Sequence, residues 1–168
     1  MKILGLAGWS NSGKTHLLTR LLPAMKRRGL AISTIKHAHH SFDIDQPGKD
    51  SHAHRQAGAR EVLISSRKRW ALMHELEESE SEPSANELVR KLAPVDLVLI
   101  EGFKRERHPK IEVHNPSLGL PLLAGSDPTI LAVISPVPVA APVPCFHPDD
   151  FDALVDFLCQ RLDLPWHS

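Results

Sequence analysis

Gly8-Trp9-Ser10-Asn11-Ser12-Gly13-Lys14-Thr15 has the residue types and spacing of G-x-x-x-x-G-K-[ST], a pattern suited to holding phosphate. Its two glycines let the backbone turn where a side chain would clash, so that successive amide N–H groups converge on phosphate oxygens. A helix that starts directly afterwards adds the positive end of its dipole at the same place. Lys14 then reaches the terminal phosphates, and the Thr15 hydroxyl coordinates Mg²⁺. The expected cofactor-binding set is Gly8, Ser10, Asn11, Ser12, Gly13, Lys14, Thr15 and His16. A bare match also occurs in glycine turns that merely cap a helix, so the flanking elements decide.

The second informative stretch is Val95-Asp96-Leu97-Val98-Leu99-Ile100-Glu101-Gly102. Four apolar residues ending in an acid and a glycine have the form of a central strand that delivers a carboxylate to the C-terminal edge of a sheet. Ligands bind at that edge in open α/β sheets. There Glu101 would hold Mg²⁺ opposite Thr15, directly or through water. A strand-end acid is otherwise simply solvated; the upstream glycine loop favours the metal role. Lys14 and Glu101 are thus the expected catalytic residues. Asp45, and equally Asp50, is an outer-sphere candidate for the same ion.

The elements that must position these groups are legible on either side of them. Lys2 to Ala7 is a near-continuous apolar run, as a strand buried on both faces requires. Leu17, Leu18, Leu21, Leu22 and Met25 form a helical stripe after Thr15. Pro23 should kink that helix, with Lys26, Arg27 and Arg28 in its last turn and Gly29 at C′. Ala31 to Lys36 reads as a second strand, parallel to the first. From His37 to Gly58 the pattern dissolves into polar residues, including His37, His39, His40, Asp43, Asp45 and Asp50. That gives a long functional loop unable to build a core.

Glu61 to Ser65 and Lys68 to His74 predict a β-hairpin, with Val62 and Ile64 on one face and Trp70 and Leu72 facing likewise on the partner strand. Glu75 to Glu82 is an exposed acidic loop. Ser84-Ala85-Asn86-Glu87 is a capping box opening a short helix. Phe103 to Lys110 is basic and fits either a phosphate or acidic partner or a solvated turn. Lys110 to His114 and Thr129 to Ser135 are further strands, and the proline-rich 136–144 stretch is loop or edge. Phe151, Leu154, Val155, Leu158 and Leu162 line one face of a closing helix with Asp149 and Asp150 at its start.

At 168 residues the chain fits one domain, 1–168, with a full core. Lys plus Arg and Asp plus Glu number 20 each, so no net field draws it to nucleic acid or membrane. No apolar run approaches the ~20 residues of a membrane span, and the N-terminus does not read as a signal peptide. Cys145 and Cys159 lack ligand spacing and are expected as buried free thiols of a reducing cytoplasm. The expectation is a soluble cytoplasmic protein.

With these residues in view, the chain resembles the MobB family of molybdopterin-guanine dinucleotide biosynthesis adapter proteins. The resemblance lies in the phosphate loop together with Lys36-His37-Ala38-His39-His40, Asp45-Gln46-Pro47-Gly48-Lys49-Asp50-Ser51 and Arg55-Gln56-Ala57-Gly58-Ala59. A second signature, Leu99-Ile100-Glu101-Gly102-Phe103-Lys104 followed by Pro109-Lys110-Ile111-Glu112-Val113, extends it across residues 2–114. The resemblance implies a three-layer α/β P-loop fold, a mostly parallel sheet with a β-hairpin extension. It further implies GTP and Mg²⁺ as cofactors, weak hydrolysis at most, and assistance to a MobA-type guanylyltransferase. Molybdopterin is a further candidate ligand. A homodimer is implied as well, for which the 61–74 hairpin is the candidate contact.

One departure stands out: no Asn/Thr-Lys-x-Asp guanine-reading motif is present, and Ser135-Pro136-Val137-Pro138 offers no carboxylate to a guanine. Preference for GTP over ATP therefore follows from the resemblance alone. Two other classes share the phosphate loop. A metallochaperone GTPase of the hydrogenase or urease maturation type would use the histidines as Ni or Zn ligands, though no Cys-Pro-His or Cys-x-x-Cys element accompanies them. A small-molecule kinase or ligase would need a catalytic base, for which only Asp43, Asp45 and Asp50 stand as candidates.

Overall fold

A computed structural model describes residues 1–38, 42–103 and 106–165. His39 and His40 of the histidine cluster, and Lys104 and Arg105 of the basic stretch, lie outside the described residues. Contacts divide the chain into two compact units, one of residues 1–37 and 84–168 and one of residues 38–83.

The first unit is built on β1 (Lys2–Ala7), β2 (Ile32–Lys36), β5 (Leu97–Glu101), β6 (Lys110–Val113), β7 (Ile130–Ile134) and the two-residue β8 (Cys145–Phe146). They form one six-stranded sheet in the order β2-β5-β1-β6-β7-β8, and every pairing in it is parallel. The near-continuous apolar strands follow from this, because a parallel sheet is covered on both faces. On one face α1 (Lys14–Arg27) and α4 (Phe151–Leu162) pack over Leu4, Leu6, Leu97, Leu99, Ile111 and Ile134. On the other, α3 (Ala85–Val89) covers Val98 and Ile100, while Ala124 packs with Ala7, Ile130 and Val133.

The second strand is parallel to the first, as expected, but β5 lies between them. The helix runs on through Pro23 and closes as expected at Gly29. The Gly29 N–H bonds the Lys26 carbonyl and the Leu30 N–H bonds the Met25 carbonyl, burying Leu30 in the core. The capping box at Ser84 and Glu87 is present in both directions. Cys159 is buried, whereas Cys145 is exposed, because the strand carrying it is a short edge and not an interior element. Among the described residues no helix is long and apolar enough to cross a membrane.

The second unit contains α2 (Asp50–Gln56) and the antiparallel hairpin of β3 (Glu61–Ser65) and β4 (Trp70–His74). Within the 37–58 stretch, read as loop, helix α2 forms; it has no buried residue, which is why no apolar stripe announced it. The unit is tied by charge instead. The Arg55 guanidinium donates to Asp45 at 2.8 Å, to Asp43 at 2.7 Å and to Glu75 at 3.3 Å. The Asp45 hydrogen bond leads the causes that raise the Arg55 pKa.

The hairpin register differs from the expectation. Val62 pairs with Met73 and Ile64 with Ala71, whereas Leu63 pairs with Leu72 and Ser65 with Trp70. Directly opposed residues share a face. Trp70 and Leu72 therefore lie with Leu63 on the face opposite Val62, and all three are exposed. The turn of four residues, not the apolar pattern, sets this register.

Candidate functional site

The glycine loop leaves the end of β1 and enters α1, and its backbone takes the form the sequence demands. Gly8 and Gly13 have φ of 140° and 98°, and Asn11 adopts φ 62°. A Cβ on Gly8 would collide with the Val113 carbonyl oxygen and the Ser12 hydroxyl, so only glycine fits where the loop passes the end of β6. At Gly13 the N-cap supplies no side-chain hydrogen bond, and the first turn of α1 carries no acid. The first N–H groups of α1 thus receive neither a capping oxygen nor a neighbouring negative charge from the first turn, and the dipole adds positive potential there.

Lys14 folds back over the loop, its ammonium donating to the carbonyls of Gly8 at 3.0 Å and Trp9 at 2.7 Å. Trp9 is itself fastened, its indole N–H donating to the Pro121 carbonyl at 2.9 Å across 112 residues of sequence. Ser12 is buried, and its hydroxyl finds no partner among the described residues. Ser10 and Asn11 are exposed in the turn, and His16 is exposed on the first helical turn.

Glu101 arrives from β5, level with Leu6 of β1. The Thr15 hydroxyl donates to its carboxylate at 3.2 and 3.5 Å, so the two groups separated by 86 residues meet. Gly102 lets this happen: it has φ 113°, and a Cβ there would collide with His37, whose N–H donates to the Glu101 carbonyl at 2.8 Å. A hydroxyl and a carboxylate converging beside a phosphate cradle are oxygen ligands of the kind Mg²⁺ takes, with water completing its octahedron. Asp45 belongs to the other unit, where one of its oxygens accepts from Arg55 and the other is buried without a partner among the described residues. Among the described residues no group of three His, Cys, Asp or Glu side chains is arranged to hold a metal ion.

The basic stretch does not end in a free cation. Lys110 is 3% exposed and gives its three N–H donors to the Glu106 carbonyl, Thr129 and Asp127, which makes it a structural residue. Burial lowers the His108 pKa, and the Lys110 charge lowers it further.

Glu112 is the residue near the site that its sequence context alone did not distinguish. It is fully buried on β6, beside Ala7, and accepts from the Leu123 and Ala124 N–H groups at 2.9 and 2.8 Å. It thereby fixes the connection whose Pro121 carbonyl holds Trp9. An acid inside an apolar run, Ile111-Glu112-Val113, was the available signal.

Comparison with known proteins points to one family. The MobB family profile, molybdopterin guanine dinucleotide synthesis protein B, matches residues 3–136. The molybdopterin-guanine dinucleotide biosynthesis adapter protein of Escherichia coli is 39% identical over 161 residues, covering 94% of this chain and 91% of that protein. Its counterpart from Haemophilus influenzae is 41% identical over 138 residues, covering 82% and 76%. A crystal structure of molybdopterin-guanine biosynthesis protein B superposes with a TM-score of 0.69 at 28% identity, covering 96% of this chain and 99% of that one.

Proposed function

The chain belongs to the MobB family, and we propose that it is a GTP- and Mg²⁺-binding adapter of molybdopterin-guanine dinucleotide biosynthesis. In this role it assists a MobA-type guanylyltransferase and hydrolyses GTP weakly at most. The single observation that carries the proposal is the meeting of Thr15 with Glu101 beside the uncapped glycine loop. Lys14 leaves the carbonyls of Gly8 and Trp9 to neutralise phosphate charge, and the N–H groups of the loop and first helical turn bind the phosphate oxygens. Thr15 and Glu101 would hold Mg²⁺, which supplies charge neutralisation for the terminal phosphates. An adapter needs no fast hydrolysis, since its task is to present a bound state to a partner. The exposed face of Leu63, Trp70 and Leu72 favours a second copy of the chain as hairpin partner, because such a face on a hairpin is prone to pair.

Calorimetric titration of GTP with Mg²⁺ tests the proposal. Wild type should bind stoichiometrically, and Lys14→Ala should bind at least about a hundredfold more weakly at an unchanged melting temperature. That factor reflects charge-assisted contacts to two phosphates. Failure of wild type to bind, or rapid GTP turnover by the isolated protein, would overturn it.

A further inference from the structure

Beside the phosphate loop, within the first unit, a cleft of about 230 Å³ is lined by Gly13 and His16 of the first turn of α1, Asn115 beyond β6, Pro136 beyond β7 and Pro148 beyond β8. Pockets that enclose a whole small-molecule ligand run to about 300–1,000 Å³. This cleft is smaller, and it opens from the loop itself, so it suits the far end of a ligand whose phosphates occupy the loop. Its prolines offer flat apolar walls to a ring. The polar groups around it are what could tell one ring from another.

The carboxylates near this end of the sheet are committed elsewhere. Glu112 accepts from two backbone N–H groups, Asp149 holds Arg20 at 2.6 Å, and Asp150 caps α4 through the Ala153 N–H. The Ser135 hydroxyl accepts from the Val137 N–H. No Asp or Glu lines the cleft. Arg20, His16 and His114 do line it, but Arg20 is held by Asp149 and lies over the Phe151 ring, and an imidazole nitrogen donates or accepts according to tautomer and so enforces neither.

Asn115 differs from them. Its side-chain oxygen accepts from the Ser117 N–H at 3.1 Å, which fixes the amide and leaves its NH₂ group with no hydrogen bond to another described residue. A donor locked in this way recognises an acceptor. Guanine and hypoxanthine present a carbonyl oxygen at position 6, whereas adenine presents an NH₂ donor there.

We propose, building on the nucleotide-binding function above, that this cleft takes the purine of the bound nucleotide. Asn115 selects a 6-oxopurine through its NH₂ donor, and no side-chain carboxylate reads the 2-amino group. Selection is therefore by the 6-position alone. A donor facing a donor leaves both unpaired and disfavours ATP.

The experiment is calorimetry with GTP, ITP, ATP and inorganic tripolyphosphate, each with Mg²⁺, on wild type, Asn115→Asp and Asn115→Ala. Aspartate keeps the oxygen that accepts from Ser117, so the turn survives while the donor becomes an acceptor. Tripolyphosphate corrects for the added charge. Wild type should bind ITP within about threefold of GTP and ATP about tenfold more weakly. Relative to tripolyphosphate, Asn115→Asp should reverse the GTP:ATP preference and Asn115→Ala should bring it close to one. ITP bound more than tenfold more weakly than GTP, or an unchanged GTP:ATP ratio in Asn115→Asp, would overturn the assignment. Equal affinity for tripolyphosphate and every nucleotide would remove the base site and leave the phosphate site standing. Absence of all binding would bring down both.

Discussion

The two strands that flank β1 each carry a glutamate to almost the same height, Glu101 of β5 beside Leu6 and Glu112 of β6 beside Ala7. In sequence they look alike, each an acid at or near the end of a short apolar run. In the structure they are opposites. Glu112 is fully buried on the face away from α1, and both its oxygens are taken by backbone N–H groups. Glu101 lies at the strand end on the α1 side, partly exposed, and among the described residues its side-chain partner is the Thr15 hydroxyl. A carboxylate whose lone pairs are filled by backbone is a strut. One whose side-chain partner among the described residues is a single hydroxyl keeps capacity for a cation. Position along the strand, and which face the side chain takes, separate structure from chemistry here.

The sharpest way to break this contrast is at the strut. Glu112→Ala leaves the buried Ala124 N–H and the part-buried Leu123 N–H without acceptors, at about 1–3 kcal/mol for a fully buried group. A loss of about 3 kcal/mol should lower the melting temperature by on the order of 10 °C, with the GTP affinity of the folded fraction nearly unchanged. A variant that melts like wild type but loses nucleotide would reverse the roles of the two glutamates.

Glu101→Gln should show the complementary pattern. Its melting temperature is expected within about 2 °C of wild type, because the side chain is partly exposed and its bond to Thr15 is weak. The gain in GTP affinity on adding Mg²⁺ should shrink by about tenfold, as one charged oxygen ligand is lost. An unaltered Mg²⁺ dependence would place the ion elsewhere.

The smallest effect concerns the start of β6, where His108 packs beside Lys110. Burial depresses the His108 pKa in the folded state, and Lys110 adds to the depression. Below the unfolded value of about 6.5 the unfolded chain therefore binds the proton more readily. Stability attributable to this group is full above pH 6.5 and declines as the pH falls through that value toward the lowered folded one. His108→Asn should flatten this slope in denaturant titrations between pH 7 and pH 5. An equally steep slope in the variant would assign it to other groups.

Much of the first unit was legible because its physics is local. Lys2–Ala7, the loop, the α1 stripe and Leu97–Glu101 each declare themselves within a dozen residues. Their order fixes a parallel sheet, though not that β5 lies between β2 and β1. The Thr15–Glu101 meeting was legible because both ends lie at the C-terminal edge of adjacent parallel strands. Helix α2 was not, since its anchor is Arg55 with three acids drawn from residues 43 to 75, a long-range charge arrangement without periodicity. The burial of Lys110 and Glu112 was hidden for a related reason. Charged side chains read as surface until the backbone and side-chain partners that satisfy them are in place. The hairpin faces are not legible in the same way, because alternation is ambiguous when both faces carry apolar residues; register must then come from the turn.

The tie between the Trp9 indole and the Pro121 carbonyl also makes the loop self-reporting. Indole emission responds to the hydrogen bond at its nitrogen and to the charge moving past the ring. A polyphosphate that draws Lys14 away from the Trp9 carbonyl alters that environment directly. Filling of the cradle should therefore be visible in the protein's own fluorescence, without a label.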